Sequence, residues 1–301
     1  MLSLKDGTKI AMIDKKKDKC IYIKDDNKDK PAEIETTPQK KYELFKSYIE
    51  KDKKLMRSQL DNLLNAYKSN QKPDDKLSRK YEEAEKFVNT SLKHYLDFSD
   101  KTELTPIMPK WYTLFVSGTT GSGKSYYIAD LIKYNKPKFI FIMSPVKDDP
   151  AYKSMKPEPV YLDLDQYFDE YNKFFEIEDL PPESIVILDD IDTDAKKAKP
   201  YQEIKTQLLE RGRHLNISTI CVSHDPLGGN VKHAKAQVRE SHYYVLFPKA
   251  NKAHCENFIK RYITKDNEIM DRMLNVDTRG LLVKKTYPSY YLGNHTVGII
   301  N

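Results

Sequence analysis

Hydrophobic and polar positions follow two different rhythms along this chain. Between Pro38 and about Tyr67, apolar residues fall at Leu44, Phe45, Tyr48, Ile49, Leu55, Met56, Leu60, Leu63, Leu64 and Tyr67. They return at Leu77, Tyr81, Ala84, Val88, Leu92, Tyr95 and Leu96. Steps of three and four residues line one face of a helix. The polar run Ser69–Asp75, which includes Pro73, interrupts them. The spacing predicts two helices folded into an antiparallel hairpin. Its apolar stripe serves either as the core of the pair or as a docking or oligomerisation arm. Ahead of it, Thr8–Asp14 and Cys20–Lys24 are short runs with Ile and Tyr around the polar Lys15–Lys19, which predicts a β-hairpin. Asn27–Thr37 reads as a linker.

Beyond about residue 110 the rhythm changes. Short apolar runs occur at Tyr112–Val116, Phe139–Met143, Val160–Leu162, Ile185–Leu188, Thr219–Val222 and Tyr243–Phe247. Helical patterns such as Ser125–Tyr134 and Gln202–Glu210 lie between them. Fully apolar strands alternating with helices predict an α/β fold, a parallel sheet flanked by helices. After Pro248, helices are expected at His254–Tyr262 and Asn267–Leu274, and late strands at Leu281–Lys285 and Tyr290–Leu292. The expected domains are an accessory region over 1–110 and a second domain over 111–301.

Composition sharpens this division. The 301 residues carry 51 Lys+Arg and 45 Asp+Glu, a net of +6. Residues 1–110 hold 25 and 20 of these, a net of +5, so residues 111–301 hold 26 and 25, a net of +1. Only 10 residues are glycine, and Gly7 is alone before Gly118. No apolar run is long enough for a transmembrane helix. The start Met1–Asp6 turns charged at once, which predicts no signal peptide. The 3 cysteines, Cys20, Cys221 and Cys255, are widely spaced. They form neither a disulfide framework nor a Cys-x-x-Cys metal site, and imply a reducing compartment.

Gly118-Thr119-Thr120-Gly121-Ser122-Gly123-Lys124-Ser125 matches G-x-x-x-x-G-K-[ST], between a predicted strand and a predicted helix. Backbone N–H groups of such a loop, with the helix N-terminus behind them, cradle phosphates. Lys124 is expected to bridge the β- and γ-phosphates of ATP, and the Ser125 hydroxyl to ligate Mg²⁺. Ser184–Asp190 is an apolar strand ending in two carboxylates. Asp189 would hold Mg²⁺, and Asp190 would orient and deprotonate the attacking water. Asp192 and Asp194 extend the acidic run and read as exposed loop charge. Glu210-Arg211-Gly212-Arg213-His214 precedes the next strand, which ends in His224. Arg211 and Arg213 suit either helix C-capping or stabilisation of γ-phosphate charge from a neighbouring subunit. His224 suits either a sensor of the γ-phosphate or a core histidine.

These elements in this order resemble the FtsK–HerA superfamily of P-loop ATPases. More narrowly, they resemble the poxvirus-type genome-packaging ATPases of large DNA viruses and Polinton-like elements. Tyr243–Lys249 is similar to that group's last core strand, and Arg279–Pro288 to its Lys-Thr-Tyr-Pro strand. The resemblance covers about residues 111–292. It departs at His224, where Gln or Asn is usual, at Asp190, where Glu is common, and at Gly280, where an aromatic is expected. It implies a RecA-like core and an ATPase that translocates double-stranded DNA into a viral capsid. It implies Lys124, Ser125 and Asp189 at nucleotide and Mg²⁺, and Asp190 as base. Arg213 would be the trans-acting finger, Arg211 the second choice, and His224 the sensor. A pentameric or hexameric ring of identical subunits is implied, with capsid or membrane-associated virion proteins as partners, in the virion or host cytoplasm. Gly228–Lys235, flexible and basic, is the candidate pore loop. Another FtsK–HerA translocase of a mobile element and a nucleotide-switched assembly protein are the alternatives.

Overall fold

The computed structural model describes residues 1–24, 38–98, 101–147, 149–191, 198–224 and 231–300. The expected linker at 27–37 lies outside these, as do Asp192, Asp194 and the Gly228–Asn230 part of the candidate pore loop. The chain forms two compact units, Met1–Lys9 with Cys20–Asp97, and Ile10–Lys19 with Phe98–Asn301.

In the first unit, β1 (Leu2–Ser3) pairs with Tyr22 and Ile23. The strands β2 (Thr8–Ile13) and β3 (Lys16–Ile23) form a hairpin whose tip, Ile10–Lys19, belongs to the second unit. The hairpin turns at Asp14 and Lys15, both at positive φ, the backbone of a tight two-residue turn. The polar Lys16–Lys19 therefore belongs to β3, not to a loop. These residues are exposed and need no apolar side chains to stay in the strand. Three helices follow, α1 (Pro38–Glu50), α2 (Arg57–Ser69) and α3 (Asp75–His94), where the spacing predicted two. The apolar rhythm runs unbroken through Leu55 and Met56, but the charged Lys51–Lys54 cannot be buried. The Gln59 side chain accepts from the Met56 backbone N–H at 3.0 Å and starts α2 afresh. Phe45, Ile49, Leu63, Ala84 and Val88 make the core of the bundle, with Phe45 stacked on Tyr67 at 4.0 Å. The strand β4 (Tyr95–Asp97) closes the unit.

The second unit begins with β5 (Leu104–Pro106), antiparallel to β2 with Ile13 opposite Leu104. Both partners of this pairing, Ala11–Ile13 and Leu104–Pro106, lie within the second unit. The main sheet follows: β6 (Thr113–Ser117), α4 (Lys124–Asn135), β7 (Phe139–Met143), α5 (Pro150–Lys153), β8 (Val160–Tyr161), α6 (Leu164–Tyr171), β9 (Ser184–Asp189), α7 (Ala198–Arg211), β10 (Ser218–Ser223), α8 (Val231–Glu240) and β11 (Tyr243–Leu246). The helices α9 (Lys252–Tyr262) and α10 (Asn267–Leu274) lead to β12 (Leu281–Lys284), β13 (Tyr290–Leu292) and β14 (Thr296–Ile299). The order is β14-β13-β12-β11-β6-β10-β9-β7-β8. From β11 to β8 every pairing is parallel; β12, β13 and β14 add antiparallel strands.

The parallel strands are buried along their lengths, as Leu114–Val116, Ile185–Leu188 and Tyr244–Leu246 show. Ile128, Leu131 and Ile132 of α4 join this core, as does Phe258 of α9, whose ring lies 5.1 Å from Tyr244. The strand β14 escaped the sequence pattern because Gly298 interrupts it. A Cβ there would run into the Tyr291 ring of β13. Val231–Lys235, expected within a loop, begin α8 instead.

Candidate nucleotide site

Parallel pairing aligns the C-terminal ends of the central strands. Ser223 stands opposite Ser117, and Val222 opposite Asp189. The loop leaving β6, the acidic tip of β9 and His224 after β10 therefore share one sheet edge, the common place for ligands in open α/β sheets.

The loop Gly118–Ser125 is shaped by its glycines. Gly121 and Gly123 have φ of +76° and +96°, a left-handed backbone that favours glycine. A Cβ on Gly118 would lie 2.7 Å from Ser122 Oγ and 2.8 Å from the Phe247 ring. No side chain caps α4 at Gly123, so its first N–H groups remain open to an anion. Lys124 is buried and folds back over the loop, donating to Gly118 O at 2.9 Å and Thr119 O at 3.4 Å. Burial holds its ammonium below the ordinary lysine range, against the pull of Asp190 and Asp189. A charge made costly by desolvation gains from a polyanionic ligand that replaces the lost water.

His224 joins the elements. Its Nδ1 lies 3.1 Å from Lys124 Nζ and 3.4 Å from Thr120 Oγ1, and its Nε2 lies 2.6 Å from Asp190 Oδ2. An ammonium only donates, so Nδ1 accepts from Lys124 and the Nε2 proton faces Asp190. Asp190 adopts a left-handed φ of 52°, rare for a non-glycine residue, which turns the chain out of β9 at this point. The Asp189 carboxyl is pushed up to about 6 by burial and then by repulsion from Asp190, while the Tyr152 hydroxyl and Lys124 act the other way.

Tyr152, on α5, escaped the sequence reading. It is fully buried, its hydroxyl donates to Asp189 Oδ2 at 3.0 Å, and it also engages Ser125. It ties together the two expected metal ligands. The only local signal is Asp149, which caps α5 by accepting from Ala151 N at 2.8 Å. Arg279 also lines the cleft, although it entered the sequence reading only through the C-terminal segment. The cleft, of about 380 Å³, is bounded by Thr120–Tyr126 apart from Ser122, by Ser144–Val146, and by Asp149, Asp189, Asp190, His224 and Arg279.

Arg211 and Arg213 lie elsewhere. They sit ahead of β10, whose Thr219 is opposite Thr113 at the beginning of β6. That is the N-terminal edge of the sheet, the opposite edge from the loop. Arg211 is ion-paired to Glu178. Arg213 is exposed and contacts His214 at 3.3 Å. Its charge, after burial and those of Lys285 and Lys284, holds His242 below the usual histidine range.

A phosphate loop on β6, a two-carboxylate tip on β9 and a polar residue beyond β10 define a P-loop ATPase. The model of the family described as Poxvirus A32 protein matches residues 100–285, more than half of the chain, and the chain belongs to that family of genome-packaging ATPases. Protein V3 of Sputnik virophage is 30% identical over 183 residues, spanning 59% of this chain and 72% of V3. Among solved structures, the genome packaging NTPase B204 of Sulfolobus turreted icosahedral virus 2, in complex with sulfate, is 15% identical, covering 64% of this chain and 98% of its own, with a TM-score of 0.39. The pCW3 conjugation coupling protein TcpA is 16% identical, covering 67% and 65%, also with a TM-score of 0.39. Residues 1–99 lie outside the family match.

Proposed function

We propose that this ATPase works as a homo-oligomeric ring that drives double-stranded DNA into a capsid, each subunit hydrolysing ATP at the cleft of β6, β9 and β10. The observation that carries this reading is the linked set Lys124–His224–Asp190 at one sheet edge, with Arg213 at the other. Lys124 and the loop N–H groups bind the β- and γ-phosphates. Asp190 takes a proton from the attacking water, and His224, bonded to both Asp190 and Lys124, reports whether a γ-phosphate is present. Ser125 and Asp189 are the residues that would hold Mg²⁺. A hydroxyl and a carboxylate are hard oxygen donors of the kind that ion takes, and a cation there would offset the burial and the Asp190 repulsion that disfavour charge on Asp189. When bound, Mg²⁺ supplies neutralisation of charge on the β- and γ-phosphates.

Within one subunit Arg213 lies away from its own loop, so its service to a γ-phosphate requires a second copy. This supports a ring, pentameric or hexameric as the family resemblance implies, with capsid or membrane-associated virion proteins as further partners in the virion or at the host's assembly site. Among the described residues no helix is long and apolar enough to cross a membrane. ATP hydrolysis measured with and without duplex DNA, alongside electron microscopy with ATP and DNA, tests the reading. Stimulation by duplex DNA and closed rings are expected. Hydrolysis indifferent to DNA from a protein that stays monomeric would overturn it.

A further inference from the structure

The phosphate loop follows β6, which has β10 on one side and β11 on the other. Asp189, Asp190 and His224 all come from the β10 side. A triphosphate lying in the loop with its γ-phosphate toward them must run its nucleoside the other way. On that side stand two residues with no assigned role. Tyr126, in the first turn of α4, is 54% exposed at the mouth of the cleft. Arg279, just ahead of β12, places its guanidinium carbon 5.6 Å from the Tyr126 ring centroid. The same guanidinium lies so close over the loop that a Cβ on Gly123 would run into it. Among the described residues no hydrogen bond or ion pair holds it.

Gly280 explains how Arg279 reaches this position. A Cβ on Gly280 would lie 2.6 Å from the Tyr127 ring, so the glycine lets the chain approach α4 at the start of β12. Beyond Arg279 is a further cavity of about 450 Å³, lined by Gly121, Ser122, Lys249, Asp277, Thr278 and Asn294. An exposed aromatic ring beside a phosphate site, covered only by an unpaired cation, is a stacking platform. Bases stack readily on such rings, and guanidinium groups pair with phosphate oxygens.

We propose that Tyr126 and Arg279 form the nucleoside end of the ATP site. The base of the bound nucleotide stacks on Tyr126 in the place that Arg279 now covers. Arg279, cleared from Gly123, pairs with the phosphate next to the ribose. The inference rests on the nucleotide reading of the loop and adds a base-contacting residue to it. It also separates Arg279 from the γ-phosphate chemistry on the β10 side.

Calorimetric titration of the full chain with ATP, ADP and inorganic tripolyphosphate tests this. Tyr126→Ala should raise Kd for ATP and ADP by roughly 5–100-fold, the scale of one base–aromatic stack, and leave tripolyphosphate unchanged. Tyr126→Phe should bind as the wild type does. Arg279→Ala should weaken ATP, ADP and tripolyphosphate alike, whereas an arginine serving only the γ-phosphate would leave ADP untouched. As a second readout, Tyr126→Trp in a Trp111→Phe background should be quenched by ATP and ADP but not by tripolyphosphate. Equal loss of ATP and tripolyphosphate in Tyr126→Ala, or no loss of either, overturns the proposal. A wild-type chain that binds none of the three overturns the nucleotide reading instead.

Discussion

The two edges of the parallel sheet in the second unit make different uses of similar residues. At the C-terminal edge, Lys124, Asp190 and His224 are joined through contacts of 3.1 Å and 2.6 Å, and Asp189 is held by Tyr152 at 3.0 Å. At the N-terminal edge, Arg211 is neutralised by Glu178 and Arg213 stands exposed beside His214. The first edge is a preorganised site that gathers charge of both signs where water is partly excluded. The second offers two exposed arginines that, among the described residues, meet only Glu178 and His214. The linked set Lys124–His224–Asp190 is therefore at one edge, and under the proposed ring Arg213 at the other would act on a neighbour's cleft.

Arg213→Ala probes this contrast most severely. If Arg213 serves a neighbour's γ-phosphate, kcat should fall by about 10³–10⁵ while ATP binding persists. Mixing this variant with Lys124→Ala should restore part of the activity, because some interfaces then pair an intact loop with an intact arginine. No rescue on mixing would place the arginine's effect within its own subunit and erase the distinction between edges. Asp190→Asn is next. It should lower kcat by roughly 10²–10⁴, the range for loss of a general base, with ATP affinity retained. An unchanged rate would move the base to another residue. Arg211→Ala should do least. Its partly exposed pair with Glu178 is worth at most about 1 kcal/mol of stability, read as a small shift in Tm, with kcat close to that of the parent. A collapse of kcat there would transfer the finger role from Arg213 to Arg211.

Much of this was legible in the sequence because it rests on local chemistry. The glycines of the phosphate loop, the apolar strand ending in Asp189-Asp190, and the helix Asn267–Leu274 all follow from spacing and residue type. The break between α1 and α2 was harder to read. Leu55 and Met56 keep helical spacing across it, and only the solvation of Lys51–Lys54 argues for a turn. Tyr152 was missed for another reason: nothing near it in the chain marks it. Its hydroxyl matters because α5 brings it to Asp189, which lies 37 positions further along. Tyr126 beside the loop was equally silent until Arg279 was seen against its ring.

The sequence by itself determined that this chain folds as an α/β P-loop ATPase, and which loop is the candidate phosphate cradle. Glycine tolerance of positive φ, β-branched runs and helical periodicity are properties of neighbouring residues, and neighbours are what a sequence records. Tertiary structure decided which distant residues share a cleft. Parallel register brought Ser117, Asp189 and His224 to one edge and sent Arg211 and Arg213 to the other. The antiparallel return of β12 then laid Arg279 over Gly123. Those placements depend on strand order, which is settled by the packing of the whole sheet and is not encoded in any one segment.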